Sequence, residues 1–129
     1  MVIDTSALIA IILREADGGR FRQLIEAAPV REISAASLSE TGIVMLGKRG
    51  PIGVDEMQAL VHSLGISIVP LEQSHAQLAI AAYEQFGKGR HPAGLNYGDC
   101  FSYALAKARG EPLLAKGDDF TRTDAVMAA

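Results

Sequence analysis

Between Asn96 and Phe120 the chain reads NYGDCFSYALAKARGEPLLAKGDDF: a helix, a Gly-Glu-Pro turn, a short apolar strand and an acidic loop. Tyr97, Phe101, Ala104, Leu105 and Ala108 form its apolar stripe at helical spacing, and Gly110 with Pro112 ends it. One acid, Asp99, sits in the first turn of the helix, and two more, Asp118 and Asp119, follow the strand. A helix that returns into a strand reverses the chain, so the start of the helix and the end of the strand share one edge. In open α/β sheets ligands bind beyond the carboxyl ends of the strands. Any further acids delivered to that edge would complete a site.

The rest of the chain repeats the same alternation. Met1–Asp4 is a short apolar strand ending on an acid, and Thr5–Leu13 is a helix apolar nearly all round, as befits one buried on a sheet. Glu15–Gly19 is a turn. Phe21, Leu24, Ile25 and Ala28 mark an amphipathic helix closed by Pro29, and residues 30–34 form a second strand. Residues 35–47 are the next helix, residues 48–53 (KRGPIG) a loop and residues 55–64 a further helix. Residues 66–71 (ISIVPL) give a third strand, residues 73–86 an Ala-rich helix and residues 87–95 a Gly/Pro/Lys/Arg loop. The tail from Thr121 to Ala129 shows little pattern. Strands alternating with helices predict a central parallel sheet between helical layers, an α/β/α sandwich. No repeat or linker divides the 129 residues, so the expectation is one domain over residues 1–129.

A chain of this length buries roughly two-thirds of its unfolded surface, enough for a core without staples. No apolar run reaches the ~20 residues of a membrane span. The apolar start carries Asp4 in place of a basic leader, which speaks against a signal peptide, and a single cysteine suits a reducing cytoplasm. The net charge of −3 argues against a nucleic-acid binder only if the acids are spread out. If Asp4, Glu40, Asp99, Asp118 and Asp119 pool in one cleft, the remaining surface is mildly basic, with Lys88, Arg90 and His91 close together in one loop.

Each acid alone has a plain reading. Asp4 can cap the helix that follows it, with Thr5 or Ser6 sharing the task. Glu40 completes an S-x-x-E capping box with Ser37. In the same helix Leu38, Gly42, Met45 and Leu46 form one stripe, while Ala36, Ile43, Val44 and Gly47 share the face of Glu40, which would shield its carboxylate from water. Asp99 suits the positive end of a helix dipole, and Asp118 and Asp119 suit a turn after Gly117. Together they say more. Four segments each deliver a carboxylate at the end of a strand or near the start of a helix, and clustered carboxylates repel unless a cation holds them. Hard oxygen donors fit Mg²⁺ or Mn²⁺. His62, His75, His91 and Cys100 lack zinc-like spacing and read as surface or packing residues. The chemistry such a site offers is metal-assisted phosphodiester hydrolysis.

MVIDTSALIAI at the start, SLSE around Glu40, GLNYGDCFSYALAK around Asp99 and PLLAKGDDF near the end resemble the PIN-domain ribonucleases of the VapC toxin group. The resemblance spans nearly the whole chain. It implies a PIN-like three-layer sandwich with four to five short parallel strands, and a Mg²⁺- or Mn²⁺-dependent endoribonuclease acting on structured RNA. It also implies a homodimer held inactive by a cognate VapB-type antitoxin, whose peptide wraps the toxin and often sets a basic side chain in the acidic pocket. Asp4, Glu40 and Asp99 match the family's first three acids; Asp118 and Asp119 both fit the fourth, with Asp124 as an outer alternative. Thr5 or Ser6 stands where the family's supporting hydroxyl follows the first Asp. Lys88, Arg90 and His91 are candidate RNA contacts. With seven aromatics and no evident stacking platform, specificity would come from RNA shape and basic contacts.

Rival readings fail on particular residues. A receiver domain shares the size and an acidic Mg²⁺ pocket, but it needs an Asp after the third strand, where ISIVPLEQ offers only Glu72. A phosphatase with an aspartyl nucleophile needs a second Asp where Ser6 stands. Gly47-Lys48 lacks the upstream glycine and the Ser/Thr of a P-loop. A PIN scaffold that binds RNA without cutting it remains the alternative within the same fold.

Overall fold

Apolar residues in the strands alternate between two faces and thereby divide the core. In β1 (Val2–Ile3) and β4 (Leu113–Leu114), Val2 and Leu113 point to one side of the sheet while Ile3 and Leu114 point to the other. The first side is covered by α5 (Gln73–Phe86) and α6 (Tyr97–Arg109), the second by α1 (Thr5–Ile12), α2 (Gly18–Ala27) and α4 (Pro51–Ser63). With β2 (Glu32–Ser34) and β3 (Ser67–Val69) the sheet has four parallel strands in the order β3-β2-β1-β4, and α3 (Ala35–Arg49) follows β2 directly. This is the expected α/β/α sandwich. The structure, a computed structural model, describes residues 1–128.

Strand order reverses at β1, since β2 and β3 build outward on one side and β4 is added on the other. That reversal is the switch point at which open sheets bind ligands. Asp4 leaves β1 there, and the acidic loop leaves β4 beside it.

Several local expectations are corrected. Residues 48–53 are not a loop: α3 runs to Arg49, Gly50 alone links the helices at φ 68°, and Pro51 opens α4. A glycine at positive φ followed by proline at the first helical position makes a one-residue link. The α3–α4 crossing beyond it is close, since a Cβ on Gly53 would lie 2.5 Å from the Met45 carbonyl oxygen. In α6 the stripe is displaced: Tyr97 is 79% exposed and Ala108 is exposed, while residues 100–106 are all buried between the sheet and α5. In α3 the buried line is Ser37, Thr41 and Met45, and the apolar Ile43 and Leu46 face outward. The tail is also more ordered than its composition indicates. A 3-10 turn at Phe120–Arg122 precedes a parallel bridge between Leu113 and Met127, in which the Leu113 amide donates to Val126 O (2.8 Å) and the Ala128 amide to Leu113 O (2.9 Å). Ala129, the last residue of the expected domain and tail, lies outside the described residues.

Candidate active site

Asp4 does what its plain reading requires and has capacity left over. Its Oδ2 accepts the Ser6 amide (3.0 Å) and the Ser6 hydroxyl (2.7 Å), capping α1, while Oδ1 accepts Ser102 Oγ from α6 (2.5 Å). Only 4% exposed, the carboxylate is held by donors from two elements. The Ser6 hydroxyl in turn accepts the Lys116 amide (2.9 Å), which ties the loop after β4 to the first acid.

Glu40 is not part of a capping box. The cap of α3 is Ser34, whose hydroxyl accepts the Ala36 amide, so Ser37 and Glu40 lie inside the helix. Half-buried, Glu40 accepts Thr5 Oγ1 at 3.0 Å, and its carboxyl is raised above the usual range by desolvation, against the Thr5 hydrogen bond and with help from the Asp4 charge. Asp99 does form a box: Asn96 Oδ1 accepts the Asp99 amide (2.9 Å) and Asp99 Oδ2 accepts the Asn96 amide (3.0 Å). Its carboxyl is nevertheless pushed up to about 6, first by desolvation, with the Asn96 bond opposing and the charges of Asp4, Asp119 and Glu40 adding to the rise. Four acids from four segments therefore act on one another at the carboxyl edge of the sheet.

Of the adjacent pair, Asp119 adds its charge to the rise at Asp99, while the backbone carbonyl of Asp118 accepts Thr121 Oγ1 at 2.7 Å. Asp124 lies elsewhere, bound by Tyr103 OH and by Lys107 Nζ at 2.7 Å, and these two hold its carboxyl below the usual range. Lys88 and Arg90 are exposed and line a groove of about 840 Å³ between α5 and α6, with Ile80, Tyr83, Tyr97 and Phe101. His91 serves its own loop, its Nδ1 accepting the Ala93 amide (3.0 Å) and its ring packing edge-on against Phe86. A smaller groove of about 390 Å³, bounded by Glu40, Ile43, Leu71, Tyr97 and Phe101, also has Tyr97 in its wall.

A family model for the PIN domain matches residues 1–126, and Ribonuclease VapC30 of Mycobacterium tuberculosis is 48% identical over 129 residues, 100% of this chain and 98% of that protein. The chain is a PIN-domain protein of the VapC family. Solved structures share its fold, among them the following two. The M. tuberculosis VapC20 structure, described as a sarcin-ricin loop cleaving toxin, superposes at TM-score 0.78 with 20% identity over 97% of this chain and 95% of its own. A toxin-antitoxin complex from Klebsiella pneumoniae superposes at 0.70 with 22% identity, covering 98% of this chain and 94% of its own.

In this PIN domain the donor set suits a hard divalent cation: carboxylate and hydroxyl oxygens, with His75, His91 and Cys100 engaged elsewhere. His75 Nδ1 accepts the Glu72 amide, and buried Cys100 donates to the Asn96 carbonyl. Among the described residues no three His, Cys, Asp or Glu side chains converge closely enough to cage an ion. Mg²⁺ does not ask for a cage, because it keeps several waters and takes one or two carboxylates. Gly98 shapes the cradle: a Cβ there would lie 2.5 Å from both Glu40 oxygens, so only glycine lets that carboxylate approach the start of α6.

Sequence reading missed Gly98 and the hydroxyls of Ser37, Thr41 and Ser102. The signal available was modest, a pair of hydroxyl residues at i, i+4 spacing in α3 where a core stripe would be apolar.

Proposed function

We propose that this VapC-family protein is a Mg²⁺- or Mn²⁺-dependent endoribonuclease toxin, neutralised by a cognate antitoxin. The observation that carries the reading is the meeting of Asp4, Glu40 and Asp99 at the switch point of the sheet, where Glu40 accepts Thr5 beside Asp4 and lies against Gly98 beside Asp99. The 48% identity to a protein named a ribonuclease over the whole chain supports it. A bound divalent cation would supply Lewis-acid polarisation of a phosphodiester and an acidified water. One or two of Asp4, Asp99 and Glu40 would bind it directly and the rest would bind its waters, with Asp119 as the fourth acid. The chain's own part is orientation: Ser6 and Ser102 fix Asp4, Thr5 fixes Glu40, and Asn96 fixes Asp99. The apolar grooves on either side of Tyr97 fit an amphipathic antitoxin segment that sets a basic side chain among the acids, and the exposed Ile43 and Leu46 fit a homodimer contact. Among the described residues no helix is long and apolar enough to cross a membrane, and we place the activity in the cytoplasm with its RNA.

Incubating total RNA with the purified protein and sequencing the new 5′ ends tests the reading. Discrete cuts are expected with Mg²⁺ or Mn²⁺ and none in EDTA. Undiminished cutting in EDTA would remove the metal mechanism, and no cutting under any metal would leave a scaffold that only binds.

Two variants probe the surroundings. Lys88→Ala/Arg90→Ala should bind RNA more weakly and with a shallower salt dependence, because each lost phosphate contact releases fewer counterions. An unchanged slope would assign that loop to the antitoxin. Gly98→Ala should match or exceed wild-type thermal stability, since alanine gains roughly 0.5–1 kcal/mol over glycine in a helix. Its methyl displaces the Glu40 carboxylate, so cleavage should fall roughly 10- to 100-fold. Full activity with a raised melting temperature would show that the position of Glu40 is immaterial.

A further inference from the structure

We infer that Ser37 and Ser102 form a one-way donor chain that fixes Asp4 for cation binding, making both serines positioning residues that act through Asp4. The inference rests on the proposed metal site. Ser102 Oγ lies 2.5 Å from Asp4 Oδ1 and Ser37 Oγ lies 3.1 Å from Ser102 Oγ. Both serines are essentially inaccessible, Ser102 at 0% and Ser37 at 1% exposure. An ionised carboxylate has no proton to give, so the single hydroxyl proton of Ser102 is committed to Asp4. Ser37 must then donate to Ser102, and the direction of the whole chain is set by the charge at its end. Each link polarises the next.

A serine inside a helix ordinarily turns to solvent or bonds back to the carbonyl one turn earlier. Thr41 follows that habit, donating to Ser37 O at 2.8 Å. Ser102 does not: it reaches across from α6 to the end of β1 and takes its support from α3. The three segments that carry Asp4, Glu40 and Asp99 are thus joined behind the acids by hydroxyls, with Thr5 donating to Glu40 at 3.0 Å. Partners of this kind behind metal ligands are worth 10- to 100-fold in metal affinity.

Mn²⁺ titration calorimetry on wild type, Ser102→Ala, Ser37→Ala and the double variant, with melts in EDTA, tests the chain. Alanine suits both helical positions, so folding should persist. Ser102→Ala should bind Mn²⁺ roughly tenfold or more weakly and Ser37→Ala a few-fold more weakly. The double variant should be no worse than Ser102→Ala, because Ser37 acts only through Ser102. Wild-type affinity in Ser102→Ala, with or without a lowered melting temperature, would overturn the inference while leaving the metal site standing. Fully additive losses would overturn the series arrangement. If Ser102→Ala does not fold, Ser37→Ala decides alone, and unaltered affinity there overturns the chain. Absence of Mn²⁺ binding by wild type would remove the metal site and this inference together.

Discussion

In EDTA at pH 7.5, Asp99→Asn should melt at a higher temperature than wild type, and at pH 4 the two should melt together. The sign follows from the direction of the shift. The Asp99 carboxyl is raised from 3.8 to about 6, so the native state binds its proton more tightly than the unfolded chain does. The resulting stabilisation is complete below pH 3.8 and is lost as pH rises through 6, leaving an ionised Asp99 that repels Asp4, Asp119 and Glu40. Asparagine carries no such charge, and its side-chain oxygen can still accept the Asn96 amide that closes the capping box. Allowing for solvent screening of a partly exposed group, the gain at pH 7.5 is about 1 kcal/mol, or roughly 3 °C for a domain of this size. The forfeited helix-dipole interaction takes back a few tenths of a kcal/mol. Adding Mg²⁺ should then raise the melting temperature of the variant by less than that of wild type. A variant that melts lower at pH 7.5 with an undiminished Mg²⁺ response would reduce Asp99 to a capping residue.

Asp4→Asn should remove more than 10²-fold of RNA cleavage, since even loss of a partner behind a metal ligand brings up to that much. The fold should survive. Asp4 Oδ2 receives two donors from Ser6, so the variant's amide nitrogen belongs on the Ser102 side, where the hydroxyl can turn and accept it. The rearrangement should stay within about 1–2 kcal/mol of wild-type stability. Near-normal cleavage by folded Asp4→Asn would mean that the reaction takes place elsewhere.

Which acids meet was legible in the sequence because strand ends and helix starts in a parallel α/β unit obey topology, and topology follows from the alternation of apolar patterns. Asp4, Glu40 and Asp99 are all reached that way. Asp118 and Asp119 are not, because adjacent residues differ only through the local geometry of a loop that begins at Gly117 with φ 91°. Glu40 was given the wrong structural alternative since Ser37 looks like a cap, whereas Ser34 holds that place. The α3 stripe was misplaced for a related reason: its buried line carries two hydroxyls that serve carboxylates, and a count of apolar residues passes over them. Spacing alone puts Tyr97 in the core, yet it stands exposed between two grooves, edge-on to Phe101 at 4.7 Å.

The bridge from the tail to β4 makes the two margins of the sheet unequal. An unpaired strand margin is a template on which another chain can extend the sheet. On the β4 side the peptide groups of Leu113 are already taken by Val126 and Ala128. At the other margin β3, three residues long, has no such bridge among the described residues. A foreign strand added along β3 would lie at the margin farthest from β4 and would leave the acidic edge beside β1 and β4 open.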